Sequence, residues 1–317
     1  MIYILINDNR DKSAELWKTI NEVTSRNPTK TTPSCIISEN APVNDPRSIA
    51  TIMNDYFSSI GSTLANKIKD LIKPKPTKTT ATSPHSFNFK EVDEAASVLQ
   101  ELSKLRTTKA TGLDGISAKL LRDSTYIIAP YLTKIFNLSL RCGSFPDIWK
   151  KGKVTPIFKS GDPTSSNNYR PITILPTLSK LLERIVHHQV YNYLQEHKLL
   201  ASQQFGFRSK LSTTIALAHF TEQILDNLDH RKITGAVSID LRKAFDTVDH
   251  TILLEKLRTI GFTLSVLDWF CSRLVLLVSI KPYPSNRDQQ FNVATQASNC
   301  RSPSGKYSWT TSLPYLY

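Results

Sequence analysis

Asp240 closes a short apolar run, GAVSIDL over 235–241, and Phe245 follows five residues later. The run is short, β-branched and bounded by polar residues, which predicts a strand. A carboxylate held at the end of a strand can fix a divalent cation beside a substrate phosphate, the arrangement phosphoryl transfer needs. Taken alone, an acid at a strand–helix junction is more often structural, so the reading rests on its neighbours. Upstream, basic side chains, Lys159 and Arg170 among them, are suited to phosphate: an ammonium acts as a point charge and a guanidinium offers a bidentate fork. Both fall in 141–190, where eight Lys or Arg face only Asp147, Asp162 and Glu183. A solvated basic surface would carry the same residues. The whole chain shows the same bias, a net charge of +13 over 317 residues, which favours polyanionic partners because phosphate contacts release counterions.

The elements that must position these groups can be traced from periodicity. Apolar residues recur at three and four over 48–72, predicting an amphipathic helix started by Asp45 and Pro46. Helical spacing returns over 92–105, 127–141, 178–200, 212–228 and 248–260, and 153–158 reads as a second strand. A short helix is expected over 14–23, loose connection from there to 45, and an exposed linker over 73–84 (KPKPTKTTATSP). Helices alternate unevenly with strands, so the expected class is a helix-rich α/β (α+β) domain beginning near residue 85. The four cysteines are widely spaced with no C-x-x-C pair, which suggests neither zinc nor a disulfide framework. No apolar run approaches the ~20 residues of a bilayer span. With no signal peptide read either, the cytoplasm or nucleus is the expected location.

Five segments carry a resemblance. The run SIDLRKAFDTVDHTILLEKL (238–257) is similar to the first catalytic motif of reverse transcriptases from non-LTR (LINE-type) retrotransposons. Upstream and in the family's order stand KATGLDGI (109–116), VTPIFKSGD (154–162) continuing into NYRPI (168–172), and FGFR (205–208) with Ser212 and Thr213. The resemblance covers about 87–270, and 38–68 resembles the connector ahead of such polymerases. It implies RNA-templated DNA synthesis by the fingers and part of the palm of a right-handed polymerase, with no thumb. It further implies an RNA template, a DNA primer and deoxynucleoside triphosphates as partners. Asp240 would be the catalytic carboxylate and a ligand of Mg2+. Phe245 would lie under the incoming sugar and exclude a 2′-hydroxyl, while Lys159 and Arg170 clamp the triphosphate. Gln204, Phe205, Gly206 and Arg208 would approach the template. Asp246 and Asp249 are read as helix-start residues, His187 and His188 as surface, and the glycines of GLDG as turn formers.

The sequence departs from the family in one respect. The family supplies a second pair of metal carboxylates from an Asp-Asp hairpin downstream, and no Asp-Asp pair occurs in this sequence. The expected site is therefore half built, and the chain as it stands is expected to be inactive. Where the family continues with a segment like GVPQGSILGPLLYLIY, this chain has RSPSGKYSWTTSLPYLY at 301–317. A permissible choice of codons, shifted by one base, yields the family's segment. The expectation is a frameshift between about 271 and 301, with 271–317 out of frame and poorly ordered. The organisation is thus a connector over 1–84, fingers and incomplete palm over 85–270, and that tail. A non-catalytic nucleic-acid-binding remnant and a domesticated interaction protein stand as alternatives to the enzyme.

Overall fold

A computed structural model describes residues 33–71, 83–241, 244–245, 247–274 and 277–279. The helix expected over 14–23, most of the linker over 73–84 and the tail from 280 onward lie outside the described residues. The described chain falls into two compact units, one containing 33–56 and 154–173, the other 57–153 and 174–279.

In the first unit, β1 (Ile36–Ser38) and β2 (Ala41–Val43) pair antiparallel. Glu39 and Asn40 between them both have positive φ, the geometry of a two-residue turn matched to strand twist. The sequence reading left this stretch as loose connection, because three-residue strands are too short to show alternation. Helix α1 (Pro46–Leu71) starts as predicted, with Asp45 Oδ2 accepting from Ser48 N at 2.8 Å and proline in the first turn. Strand β3 (Lys151–Phe158) neighbours β4 (Tyr169–Ile174). Their connection is tightly tied: Lys159 N donates to Asn168 O at 2.8 Å, Asn168 Nδ2 to Asp162 O at 2.9 Å, and Tyr169 Oη to Pro163 O at 2.7 Å.

The second unit is helical. A π-helical stretch, Glu94–Leu99, runs into α2 (Gln100–Ser103). Next come α3 (Ala118–Asp123), α4 (Thr125–Arg141) and the short α5 (Asp147–Lys150). Beyond these lie α6 (Thr177–Glu196), α7 (Thr213–Asp229), α8 (His250–Thr259) and α9 (Leu264–Leu274). The first residues of β3 pair in parallel with β5 (Leu277–Ser279). One buried cluster joins Val98, Leu102, Phe136, Leu181, Val186, Trp269 and Phe270 with their neighbours. Two side-chain amides pin the approach to the π-helical stretch. Buried Asn137 bonds both backbone groups of Val92, and Gln189 bonds both of Lys90. Helix α9 continues through Arg273 and Leu274, both buried, past the boundary expected at 270.

Gly261 links α8 to α9 at a φ of +101°, and a Cβ there would lie 2.0 Å from the His85 carbonyl oxygen. Gly261 O accepts from Phe87 N at 2.8 Å, while Tyr193 Oη donates to Ile260 O at 2.6 Å. Gly261→Ala should lower stability by at least about 2 kcal/mol, combining left-handed strain with displacement of this corner. The urea midpoint measures it, and an unchanged midpoint would contradict the geometry.

Candidate nucleic-acid and nucleotide site

Helix α7 is started by Ser212, whose Oγ accepts from Ile215 N at 3.3 Å, and it buries none of its residues. The segment after it is exposed and irregular. Residues 235–241 were predicted as a strand, and the structure corrects this: none of them is in a strand. A strand persists only by giving its N–H and C=O groups to a neighbour, and among the described residues nothing pairs with this one. Its apolar side chains stand in solvent, Val237 at 88 % and Ile239 at 80 % exposure. Asp240 is therefore an exposed carboxylate on irregular backbone, not a rigidly presented one. No group of three or more His, Cys, Asp or Glu side chains converges among the described residues. Among the described residues, Asp240 alone does not make a Mg2+ site. Asp246 lies outside the described residues. Asp249 does cap α8 as read, Oδ1 accepting from Thr251 N and Ile252 N.

Phe245 is half exposed, and its ring meets that of Phe207 edge-on at 6.1 Å. The candidate sugar-side residue and the candidate template segment are thus in contact. Within that segment the roles separate. Gln204 is exposed and Phe205 packs near His219 at 5.6 Å. A Cβ on Gly206 would meet nothing within 4 Å, so no packing within the protein requires glycine there. Arg208 is engaged by the protein itself, donating to Ala201 O at 3.0 Å and Gln195 Oε1 at 3.1 Å. Beside it Tyr191 Oη accepts from Ser209 N and from Gln195 Nε2. Arg208 thus holds its loop against the end of α6. Lys159 and Arg170 are both exposed at the β3–β4 end of the first unit.

Sequence reasoning did not see a cavity with basic walls. In the second unit a hollow of about 640 Å³ lies between residues 104–110 and one face of α6. Arg106, Lys109, Lys180, Arg184 and Phe207 line it, with Glu183. The available signal was Lys180 and Arg184 at i and i+4, one helix face. The GLDG turn buttresses the start of this helix: a Cβ at Gly112 would lie 2.9 Å from Pro176 Cα, and Gly115 has a φ of +72°. Asp114 Oδ1 accepts from Ile116 N within that turn, while its Oδ2 is buried without a hydrogen-bond partner.

The charges around the hollow are unevenly matched. Buried Glu101 receives Arg184 Nη1 at 2.5 Å and Lys104 Nζ at 3.3 Å. Burial alone would raise its carboxyl, but these two cations outweigh that and hold it below the ordinary value. Glu183 is likewise taken, by Arg273 Nη2 at 2.5 Å. Lys180 has no acid within ion-pair distance among the described residues. Burial lowers its ammonium below the usual lysine range, Lys109 and Arg184 add to that, and Glu183 and Asp114 do not restore it. Burial, then the neighbouring His188, also lowers His187.

The family profile described as Reverse transcriptase (RNA-dependent DNA polymerase) matches residues 150–310. A probable RNA-directed DNA polymerase from transposon BS of Drosophila melanogaster is 34 % identical over 162 residues, 51 % of this chain and 18 % of that protein. The RNA-directed DNA polymerase from mobile element jockey of Drosophila funebris is 33 % identical over 51 % of this chain and 18 % of its own length. A Pol polyprotein from type-1 retrotransposable element R2 of Popillia japonica is 33 % identical over 39 % of this chain and 17 % of its own. The chain thus spans less than a fifth of each of these relatives. The profile covers half of the sequence and contains Lys159, Arg170, the FGFR segment, Asp240 and Phe245, and on that ground the chain belongs to the reverse transcriptase family, as its non-LTR retrotransposon motifs lead one to expect.

Proposed function

We propose that this chain is the fingers and opening palm of a polymerase that copies RNA into DNA from deoxynucleoside triphosphates. The observation that carries this is the ring contact between Phe207 and Phe245, which joins the candidate template segment to the residue proposed beneath the incoming sugar. Lys159 and Arg170 act on the triphosphate, and Asp240 contributes one carboxylate toward Mg2+. Gln204, Phe205 and Gly206 face the template, whereas Arg208 acts indirectly by fixing their loop. Taken by itself the chain binds nucleic acid and does not extend a primer, because its sequence has no Asp-Asp pair to complete the metal pair. The tail over 271–317 is proposed to follow a frameshift between about 271 and 301.

A primer-extension assay tests both parts. The 317-residue protein should bind single-stranded RNA with an affinity that falls steeply with salt and should incorporate no nucleotide. Incorporation that Asp240→Asn abolishes would establish catalysis by this chain and reject the second part. Absence of RNA binding would reject the first.

A further inference from the structure

Three cations face the hollow beside α6 without an acid to balance them: Arg106, Lys109 and Lys180. Both nearby glutamates are occupied, Glu101 by Arg184 and Lys104, Glu183 by Arg273. Asp114 lies close enough to be felt by Lys180 yet too far to pair with it. A concave surface with a positive surplus attracts anions, and one of about 640 Å³ has room for more than a lone inorganic ion. Phe207 stands in its wall, 65 % exposed and in a left-handed backbone conformation. An exposed aromatic ring beside a cluster of unbalanced cations suits single-stranded nucleic acid, whose bases stack on aromatics while its backbone follows a positive groove.

We propose that the hollow between residues 104–110 and α6 is a nucleic-acid subsite, distinct from the triphosphate-binding pair Lys159 and Arg170. In it Arg106, Lys109 and Lys180 receive consecutive phosphates of a single strand and Phe207 carries a base. The proposal rests on the reading of the chain as a nucleic-acid-binding reverse transcriptase domain. It adds a specific place where the strand is gripped. Arg106 and Lys109 are exposed at the rim and free to adjust, while half-buried Lys180 is held by its helix and fixes the position. Because Gly112 packs on Pro176, the loop and the helix that form the two walls keep one spacing.

The test uses the 317-residue protein and a fluorescent oligouridylate, with binding followed by anisotropy across a range of salt. Arg106→Gln with Lys109→Gln alters only exposed side chains and cannot disturb the core. It should weaken binding about tenfold and lower the slope of log affinity against log salt by about 1.4, two single-strand phosphate contacts at about 0.7 each. Lys119→Gln with Lys134→Gln removes the same charge from exposed positions outside the hollow and should leave both quantities nearly unchanged. Phe207→Ala should weaken binding without changing the slope, since stacking releases no counterion. Equal losses in the two charge variants would overturn the subsite while leaving nucleic-acid binding intact, and no binding by the parent protein would reject the underlying reading instead. Displacement of the oligouridylate by free deoxynucleoside triphosphate from the parent, but not from the Arg106/Lys109 variant, would assign the hollow to a nucleotide and overturn the strand proposal.

Discussion

Arg273→Met should cost about 3–5 kcal/mol of stability, because it leaves a buried carboxylate without its cation. Arg273 is 3 % exposed, and its Nε donates to Glu183 Oε1 at 2.7 Å with Nη2 at 2.5 Å from the same oxygen. Its guanidinium also lies 5.1 Å from the centroid of Phe145. Among the described residues, the other hydrogen bond to Glu183 comes from the Ser179 hydroxyl, which donates at 2.9 Å. The pair joins α6 to α9, so the loss should appear as a lower urea midpoint for the whole second unit. Replacing both partners with apolar residues, Glu183→Leu with Arg273→Met, should recover most of it, since the desolvation cost disappears with the charges. A single variant losing less than about 1 kcal/mol would mean that water reaches the pair.

Trp269→Ala should cost a similar ~3–5 kcal/mol, the range for removing a fully buried large aromatic ring. Trp269 is 1 % exposed and meets Phe89, Phe145 and Phe270 at centroid distances of 5.5, 5.4 and 5.3 Å. Its Nε1 donates to Ser139 Oγ at 3.0 Å in the interior. Alanine would leave a cavity and remove one of the two hydrogen bonds of Ser139 Oγ, which keeps its bond to Ser144 O at 2.7 Å. Trp269→Phe should cost less, keeping most ring contacts and losing the hydrogen bond. Chemical denaturation of the two variants separates the packing loss from the polar one, and equal values for both would show that packing contributes little.

Much of the helical unit was readable in advance. Helices α1, α4, α6, α7 and α8 follow runs with apolar residues at three and four, and Asp45 and Asp249 cap where capping chemistry places them. Helices α3, α5 and α9 were missed, the first two being only six and four residues long. The strand expected over 153–158 is β3, whereas the one expected over 235–241 is absent. A run such as 235–241 states a preference that only a pairing partner can satisfy, and pairing is not a property of the run itself. For the site, type and spacing brought Phe245 to notice, and the structure set it against Phe207. Arg208, read as a template contact, also meets Ala201 O and Gln195 Oε1, because a guanidinium donates alike to a phosphate or a carbonyl. The hollow beside α6 was invisible because its walls come from segments about seventy residues apart. Lys180 and Arg184 signal nothing until Arg106 and Lys109 face them.

The contact between Gly112 and Pro176 has a genetic consequence. Any missense change in the glycine codon adds a Cβ where the first residue before α6 already stands. The helix must then shift, carrying Lys180 and Arg184 with it. A locus in which every charged codon is intact could therefore lose its grip on a strand through one silent-looking base in a neutral residue. Inventories of lesions in decayed copies would overlook that position if they counted only acids and bases.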